Sequence, residues 1–293
     1  MTRISQTTPL VASLADAAGG IGNVNLSPLD VSAIARRVPL IWQGSNGPLP
    51  TLSIEALRLA LGETTYVDRG IANVERAMES LQIGGYTLPT NSIGEFWLHF
   101  RHDDPRLYIS AADVLEPGFD PELQMQLQGN LVLVGTSAAG LQDIRTTSLG
   151  ERVPGVSIHA QILEQILTES YLTRSDATAA LEILTYVCLS VLLLAVMSFF
   201  GPLISILTVG AGAGAVLAAS HAFFTKQGML LDASFPILAA FLTYGILTAH
   251  QFFVADQEKR NLRRSFPNIF RLRFWRRLNV RATKRGLVAK FAP

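Results

Sequence analysis

The sequence predicts an α/β domain with a mixed sheet over residues 1–175, three transmembrane helices within 181–255 and a basic tail over 256–293. Three observations predict this arrangement. Charged residues avoid one apolar block, that block contains three stretches long enough to cross a bilayer, and the part before it alternates between helical and strand-like patterns.

Charge separates the three parts of the chain. Only 16% of the 293 residues are charged, against about one quarter in an average soluble protein. Residues 1–180 carry 11 Lys and Arg against 19 Asp and Glu, whereas residues 259–293 carry 12 basic residues and no acid. The net charge of +1 therefore combines an acidic domain, a nearly neutral apolar block and a basic tail.

The apolar block predicts three membrane spans. Each has the roughly 20 apolar residues that a bilayer core of about 30 Å requires, and each must be helical because its backbone has no water to bond. The predicted spans are residues 181–200, 203–224 and 235–254. Gly210 and Gly214 in the second span form a GxxxG pattern that permits close helix packing, within the three-helix unit or with a second copy. His221 and His250 lie near span ends, where an interfacial polar residue is favoured over a proton relay.

The basic tail predicts the orientation. Basic residues directly after a span stay in the cytoplasm, so three spans place the N-terminal domain outside it. Phe270, Phe274 and Trp275 interleave with arginines, which also fits nucleic-acid binding. Beside a membrane, attraction to anionic lipid headgroups is more economical, so we predict the lipid bilayer as partner and no nucleic acid. The sequence around Met1 lacks the basic and apolar regions of an export signal.

Turn residues and the periodicity of hydrophobic residues in the N-terminal part predict alternating helices and strands. The predicted helical segments are Thr8–Ala18, Thr51–Leu61, Ser110–Leu115, Pro121–Gln126 and Gly155–Leu167. The predicted strands are Glu95–Phe100, which alternates in polarity, and Leu131–Val134, a continuous apolar run suited to burial on both faces. Ligands of α/β domains bind beyond the carboxyl ends of strands, so the loop after Val134 is the candidate site.

That loop and the following helix carry the candidate ligand contacts. They are Thr136, Ser137, Asp143, Arg145 and His159. Glycine and hydroxyl residues after a strand can cradle an anion, although no P-loop sequence follows. A Ser137–His159–Asp143 triad can be written, but the GxSxG elbow is missing, so we predict no catalytic residue. Ligand sensing and a structural role, with His159 packed beneath the loop, both remain open.

Cysteine usage limits the chemistry further. Cys188 is the one cysteine and lies in the first span. It permits no disulfide within the chain and no cysteine-based metal site. We predict no metal and no cofactor.

The stretch Gly129–Leu167 resembles the end of the CHASE2 domain, a bacterial extracytoplasmic sensory domain. The matching positions are Gly135, Ala138, Gly140, Leu141, Asp143, Thr146, Pro154, Gly155, Val156, His159 and Ala160. Upstream stretches also resemble that family, and they are Gly22–Asn25, Asp30, Arg36–Leu40, Leu52–Arg58, Phe96–Arg101, Tyr108–Ser110 and Asp113–Leu115. Three transmembrane helices directly after the domain are part of the family architecture. The resemblance covers about residues 8–255.

The resemblance implies reception of an unknown small-molecule or environmental signal in the bacterial inner membrane, by a homodimer. Family members usually carry a cyclase or kinase domain after the third helix, and Glu258–Phe266 resembles a linker into a cyclase. The tail after it has no acid and is shorter than a catalytic domain of about 100 residues. We therefore expect a sensory module that is not itself an enzyme.

The family also usually begins with a further transmembrane helix and a first βα portion, which this sequence does not contain. The hypothesis is that the chain is part of a larger receptor gene, shortened at both ends. The alternatives are the receptor half of a class III adenylate cyclase whose catalytic domain is encoded separately, and a small non-catalytic membrane protein. The last is disfavoured because Asp232 and Asp256 only flank the third span and no acid lies deep inside the spans.

Overall fold

The structure is a computed structural model that describes residues 2–4, 8, 10–26, 34–45, 47–70, 78–116, 118, 120–137 and 143–284. Side chains are described up to residue 261, apart from that of residue 176. Of the positions that the sequence singled out, Asp30, residues 138–142 in the candidate loop and residues 285–293 of the tail lie outside the described residues.

Short strands and three long helices account for most of the described chain. The strands are β1 (Thr2–Arg3), β2 (Ile34–Ala35), β3 (Arg37–Pro39), β4 (Ile41–Gly44), β5 (Gly47–Pro50), β6 (Val67–Gly70), β7 (Met78–Ile83), β8 (Tyr86–Pro89), β9 (Glu95–Trp97), β10 (Ile144–Thr147) and β11 (Arg152–Pro154). The helices are α1 (Ala12–Ala17), α2 (Leu52–Ala60), α3 (Ala111–Leu115), α4 (Pro121–Leu127), α5 (Gly155–Leu167), α6 (Asp176–Phe200), α7 (Pro202–Gln227) and α8 (Ser234–Lys284). A 3₁₀ turn covers Pro105–Leu107.

The strands form small sheets that are both parallel and antiparallel, which confirms the predicted mixed class. Strand β4 lies between β1, which is parallel to it, and β5, which is antiparallel. Strand β10 pairs in parallel with β2 and antiparallel with β11. The remaining ladders, β3 with β9 and β6–β7–β8, are antiparallel.

Helices α2 and α5 supply the centre of the core. Ile158, Ile162 and Ile166 recur every four residues along α5, so they form one stripe, and all three are fully buried. Ile54 and Leu57 of α2 are buried in the same apolar cluster. The periodicity therefore fixes which face of α5 meets the core, and it leaves the flanking faces for polar contacts.

Most predicted helices of the N-terminal part are confirmed. Helix α2 begins after Thr51 and ends before Gly62, whose φ of +71° suits glycine. Ser110 and Asp120 cap α3 and α4, since each side chain accepts a hydrogen bond from the backbone N–H two residues later. The predicted Gly155–Leu167 helix has the observed bounds of α5.

Two predicted elements are shorter than expected. Helix α1 covers only Ala12–Ala17 of the predicted Thr8–Ala18, and it buries no residue, so no packing favours further turns. Strand β9 ends at Trp97 rather than Phe100. Beyond Leu98 the backbone finds its hydrogen-bond partners on α5 instead of on a neighbouring strand.

The predicted buried strand Leu131–Val134 is wrong. The structure assigns no strand there, and Val134 is 90% exposed. An apolar run becomes a strand only when another strand pairs with its backbone, and the described residues provide no such neighbour. Leu133 alone packs against the core, half-buried.

The three predicted spans are confirmed as helices long and apolar enough to cross a membrane. They are Ala177–Phe200, Pro202–Gln227 and Ser234–Asn261. The turns between them begin at Gly201 and Gly228, both with positive φ. Helix α8 continues without a break to Lys284, well past the apolar part.

The chain divides into two compact units. One contains Met1–Ala179 together with Ser220–Leu231, and the other contains Ala180–Ala219 and Asp232–Pro293. In the second unit, Leu189 packs over Gly212, where an added Cβ would lie 2.6 Å from its Cδ1 atom. The glycine that packs within the unit is therefore Gly212, since no described atom lies within 4 Å of a Cβ built at Gly210 or Gly214.

Candidate ligand-binding site

Asp143 lies against the first residue of α5. Its backbone carbonyl accepts a hydrogen bond from Gly155 N–H at 2.8 Å, just before the β10–β11 hairpin begins. A Cβ at position 155 would lie 2.6 Å from Asp143 Oδ1, so glycine lets the carboxylate approach the helix start. A carboxylate there is stabilised by the exposed N–H groups and the dipole of the helix.

Arg145 lies two residues further along β10 and forms a loose ion pair with Asp143. Its Nε atom is 3.8 Å from Asp143 Oδ1, which is too long for a hydrogen bond. The same Nε is buried and has no hydrogen-bond partner among the described residues. Arg145 therefore keeps an unused donor close to the start of α5.

His159 lies one turn into α5, on the same face as Gly155. It is only 2% exposed, and its Nε2 atom is 3.2 Å from the carbonyl oxygen of Val24. Burial lowers the pKa of His159, while the Val24 carbonyl and the charge of Asp143 oppose that shift. The ring is therefore neutral near pH 7, with its proton on Nε2, where it donates to Val24.

That tautomer leaves Nδ1 as an acceptor. Nδ1 is buried and has no hydrogen-bond partner in the part of the chain that the structure describes. It follows that His159, Asp143 and Arg145 form no relay to a nucleophile, because neither ring nitrogen of His159 contacts Ser137. The written Ser137–His159–Asp143 triad is not formed.

Thr136 and Ser137 are placed differently from the other three candidates. Both are exposed. Gly135, directly before them, packs on Val156 of α5, where an added Cβ would lie 2.5 Å from the Val156 Cβ. The structure thus brings Asp143, Arg145 and His159 together at the start of α5, and it leaves Thr136 and Ser137 beside them on the surface.

Asn23 belongs to the same region and was missed as a site residue by the sequence reasoning. Its backbone is held by Pro50 and Leu52, at 2.7 and 2.8 Å, and it directly precedes Val24. Its Nδ2 atom is buried without a hydrogen-bond partner among the described residues. The sequence signal for Asn23 was the stretch Gly22–Asn25. That stretch also contains Val24, the residue that contacts His159.

The described residues contain no group of three or more His, Cys, Asp or Glu side chains that could hold a metal ion. The start of α5 offers one carboxylate, one guanidinium donor and one imidazole acceptor instead. Such a set suits hydrogen bonds to a small polar molecule.

Comparison with known families decides the identity of the fold. The family model of the CHASE2 domain matches residues 1–198, more than half of the chain. The chain belongs to the CHASE2 family. The match includes every candidate site residue and nearly all of α6. No curated protein matches the chain, and no solved structure does.

A second polar face of α5 holds another segment of the CHASE2 domain. Gln165 accepts a hydrogen bond from His99 N–H at 3.0 Å and donates one to the Trp97 carbonyl at 2.9 Å. Gln161 accepts from Arg101 N–H at 3.2 Å. Both glutamine side chains are buried, so they satisfy backbone groups of this segment inside the protein.

Side-chain contacts also hold His102 and Asp103, the residues that directly follow this segment. Ser157 donates to Asp103 Oδ1 at 2.8 Å, and Tyr108 donates to both carboxylate oxygens of Asp103 at 3.0 Å. Glu151 accepts from Asp103 N–H and lies 2.6 Å from His102 Nδ1, contacts that lower the pKa of Glu151. Sequence reasoning missed these residues, although Ser157, Gln161 and Gln165 recur every four positions beside the isoleucine stripe.

Proposed function

We propose that this chain is a membrane-bound sensory module that binds a small polar ligand at the start of α5 in its CHASE2 domain. The observation that supports the proposal is a pair of buried polar atoms, Arg145 Nε and His159 Nδ1, that have no hydrogen-bond partner among the described residues and lie beside the Asp143 carboxylate. Leaving a buried polar atom unpaired costs about 1–3 kcal/mol. A ligand that supplies both bonds recovers that free energy.

The available groups define what such a ligand presents. Arg145 offers an N–H donor, so the ligand needs an acceptor or a negative charge. His159 Nδ1 and the Asp143 carboxylate accept, so the ligand also needs a hydroxyl or amino donor. A small molecule with both kinds of group fits the three side chains better than a purely anionic one.

A ligand screen on the purified full chain in lipid nanodiscs tests the site. Small polar metabolites are added singly, and the thermal midpoint of unfolding is followed. A binding compound raises the midpoint in the wild type and in the control Asp68→Ala, which removes an exposed acid from β6. The same compound has no effect on Asp143→Ala or His159→Phe. Equal shifts in all four proteins would move the site away from α5.

We further propose that the CHASE2 domain lies outside the cytoplasm of a bacterial inner membrane, and that the chain acts as a homodimer. The basic residues after the third span support this orientation. Cysteines placed at Asp68 and at Gln257, each in a Cys188→Ala background, test it in intact cells. A membrane-impermeant maleimide should label the cysteine at 68 and spare the cysteine at 257. The reverse pattern would overturn the orientation.

The module is proposed to receive signals without performing a catalytic step of its own. An assay for cyclic nucleotide formation by the purified chain, with ATP or GTP and Mg²⁺ or Mn²⁺, tests this against the cyclase alternative. We expect no product. Product formation that survives a second purification step would contradict the proposal.

A further inference from the structure

The turn between α7 and α8 packs as part of the CHASE2 unit. Residues Ser220–Leu231, which contain this turn, belong to the same compact unit as Met1–Ala179. Thr173 pairs in parallel with Met229, since its N–H donates to the Gly228 carbonyl at 2.8 Å and its carbonyl accepts from Leu230 N–H at 2.9 Å. One residue of the chain that leads into α6 is therefore hydrogen-bonded on both sides to the turn.

Gly228 makes this docking possible. Its φ of +62° is a conformation that residues with a side chain rarely adopt. A Cβ at position 228 would also collide with the carbonyl oxygen of Tyr171. Both the shape of the turn and its fit against 171–173 thus depend on the missing side chain.

The docked turn also meets the segment that α5 holds. Leu172 forms an antiparallel bridge with Trp97. The ring of His99 packs edge-on against Phe224, near the end of α7, with centroids 5.8 Å apart. Gln165 bonds the backbone of both Trp97 and His99, so a continuous set of contacts runs from α5 to the turn.

Helix length agrees with this placement. The 26 residues of α7 extend about 39 Å at about 1.5 Å per residue, beyond a bilayer core of about 30 Å. The last turns of α7 can therefore stand outside the lipid and reach the domain. The start of α6 and the end of α7 both belong to the first compact unit.

We infer that the surface formed by residues 171–173 and His99 is a docking surface for the α7–α8 turn, through which the domain acts on the membrane helices. The covalent connection reaches α6 alone, whereas the docked turn reaches α7 and α8 directly. A movement of residues 171–173 relative to α5 then displaces both the start of α6 and the α7–α8 turn. Coupling between the domain and the membrane helices requires an element whose conformation both can shift. The docked turn is that element.

Hydrogen exchange on the full chain in nanodiscs tests the docking without any ligand. Gly228→Ala should speed exchange at the Thr173 and Leu230 amides by at least about tenfold. The effect should extend to His99, which position 228 does not bond. The control Gly62→Ala has the same backbone strain, with φ of +71° and no described atom within 4 Å of the added Cβ, and should leave these amides unchanged.

A substitution on α5 tests whether a change at that helix reaches the docked turn. Gln165→Leu should speed exchange at Thr173 and Leu230, although none of the described hydrogen bonds of Gln165 goes to either residue. A disulfide between Thr173→Cys and Met229→Cys, in a Cys188→Ala background, should suppress that effect and guards against a variant that merely unfolds. Faster exchange confined to the neighbours of each substituted residue would overturn the docking as a coupling element.

A distance measurement tests the action on the helices. Spin labels at Ser198→Cys in α6 and Gln257→Cys in α8, again without Cys188, report the separation of the two helices. Gly228→Ala should shift the distance distribution, and Gly62→Ala should not. Identical distributions in both variants and in the parent would overturn the inference. A failed ligand screen would leave it standing, because no arm uses a ligand.

Discussion

The two ends of α5 use their polar groups in opposite ways. Beside the first turn, Arg145 Nε and His159 Nδ1 are buried with no hydrogen-bond partner among the described residues. At the last turns, Gln165 pairs both its oxygen and its nitrogen, and Gln161 pairs its oxygen. Among the described residues, the start of α5, here called the open end, lies beside two unpaired polar atoms, whereas Gln165 near the last turn, here called the closed end, has both amide atoms paired.

This difference separates stability from response. A buried amide that pairs two backbone groups holds a segment in one place, and its loss is costly. Buried atoms without a described partner contribute no such bond, so under the proposed function a ligand that pairs them would add that stability. The buried isoleucine stripe packs α5 into the core between the two ends, so we expect a change at Asp143 to reach the residues that hold Trp97 and His99.

The largest expected effect is at the closed end. Gln165→Leu keeps the side-chain volume but leaves His99 N–H and the Trp97 carbonyl without their partner. We expect the free energy of unfolding to fall by about 3 kcal/mol. Urea denaturation of the full chain in detergent, followed by tryptophan fluorescence, measures it.

The matched control is Gln124→Leu, because Gln124 is an exposed helical glutamine on α4. Its effect should stay within about 0.5 kcal/mol. If the two substitutions lower the free energy of unfolding equally, the paired amide of Gln165 adds no stability at the closed end of α5. The comparison between the two ends then fails.

A smaller effect is expected one turn earlier. Gln161→Leu removes one hydrogen bond of 3.2 Å, to Arg101 N–H, and Arg101 is partly exposed so that water can replace the partner. We expect the free energy of unfolding to fall by about 1 kcal/mol, measured in the same way. A loss as large as that of Gln165→Leu would show that burial alone, rather than the number of bonds, sets the cost.

The membrane spans and the bounds of α5 could be predicted because local sequence decides them. About 20 apolar residues suffice for a span, and a glycine start with an apolar stripe suffices for α5. The buried glutamines could not be predicted, since Gln165 finds its partner 66 residues earlier in the chain. The failed strand at Leu131–Val134 has the same origin, because pairing depends on a neighbour that the run itself does not encode.

The candidate site was predictable only in part. Asp143, Arg145 and His159 do meet at the start of α5, as a loop beside a helix N-terminus suggested. Thr136 and Ser137 lie exposed next to them, and Asn23 joins the region from a distant stretch. Whether these residues bind a ligand stays a prediction that the screen decides.

The smallest expected effect is a pH dependence at the open end. Burial lowers the pKa of His159 in the folded chain, whereas in the unfolded chain it stays near its ordinary value of about 6.5. Above that pH both states are neutral at this position, and stability does not change. As the pH falls below about 6.5, the unfolded chain binds the proton first, so the free energy of unfolding decreases until the folded pKa is passed.

His159→Phe isolates this contribution. The variant keeps His99 and His102, and it loses the hydrogen bond to the carbonyl of Val24, a residue that is 67% exposed. Denaturation between pH 7 and pH 5 should therefore show a steeper loss of stability in the wild type than in His159→Phe. Carboxylates with lowered pKa, such as Glu151, lose their contribution only at more acidic pH, so they do not obscure the window. Parallel curves would mean that the imidazole binds its proton equally well in the folded and the unfolded chain. The polar groups at the open end of α5 would then be no less well paired than those at the closed end.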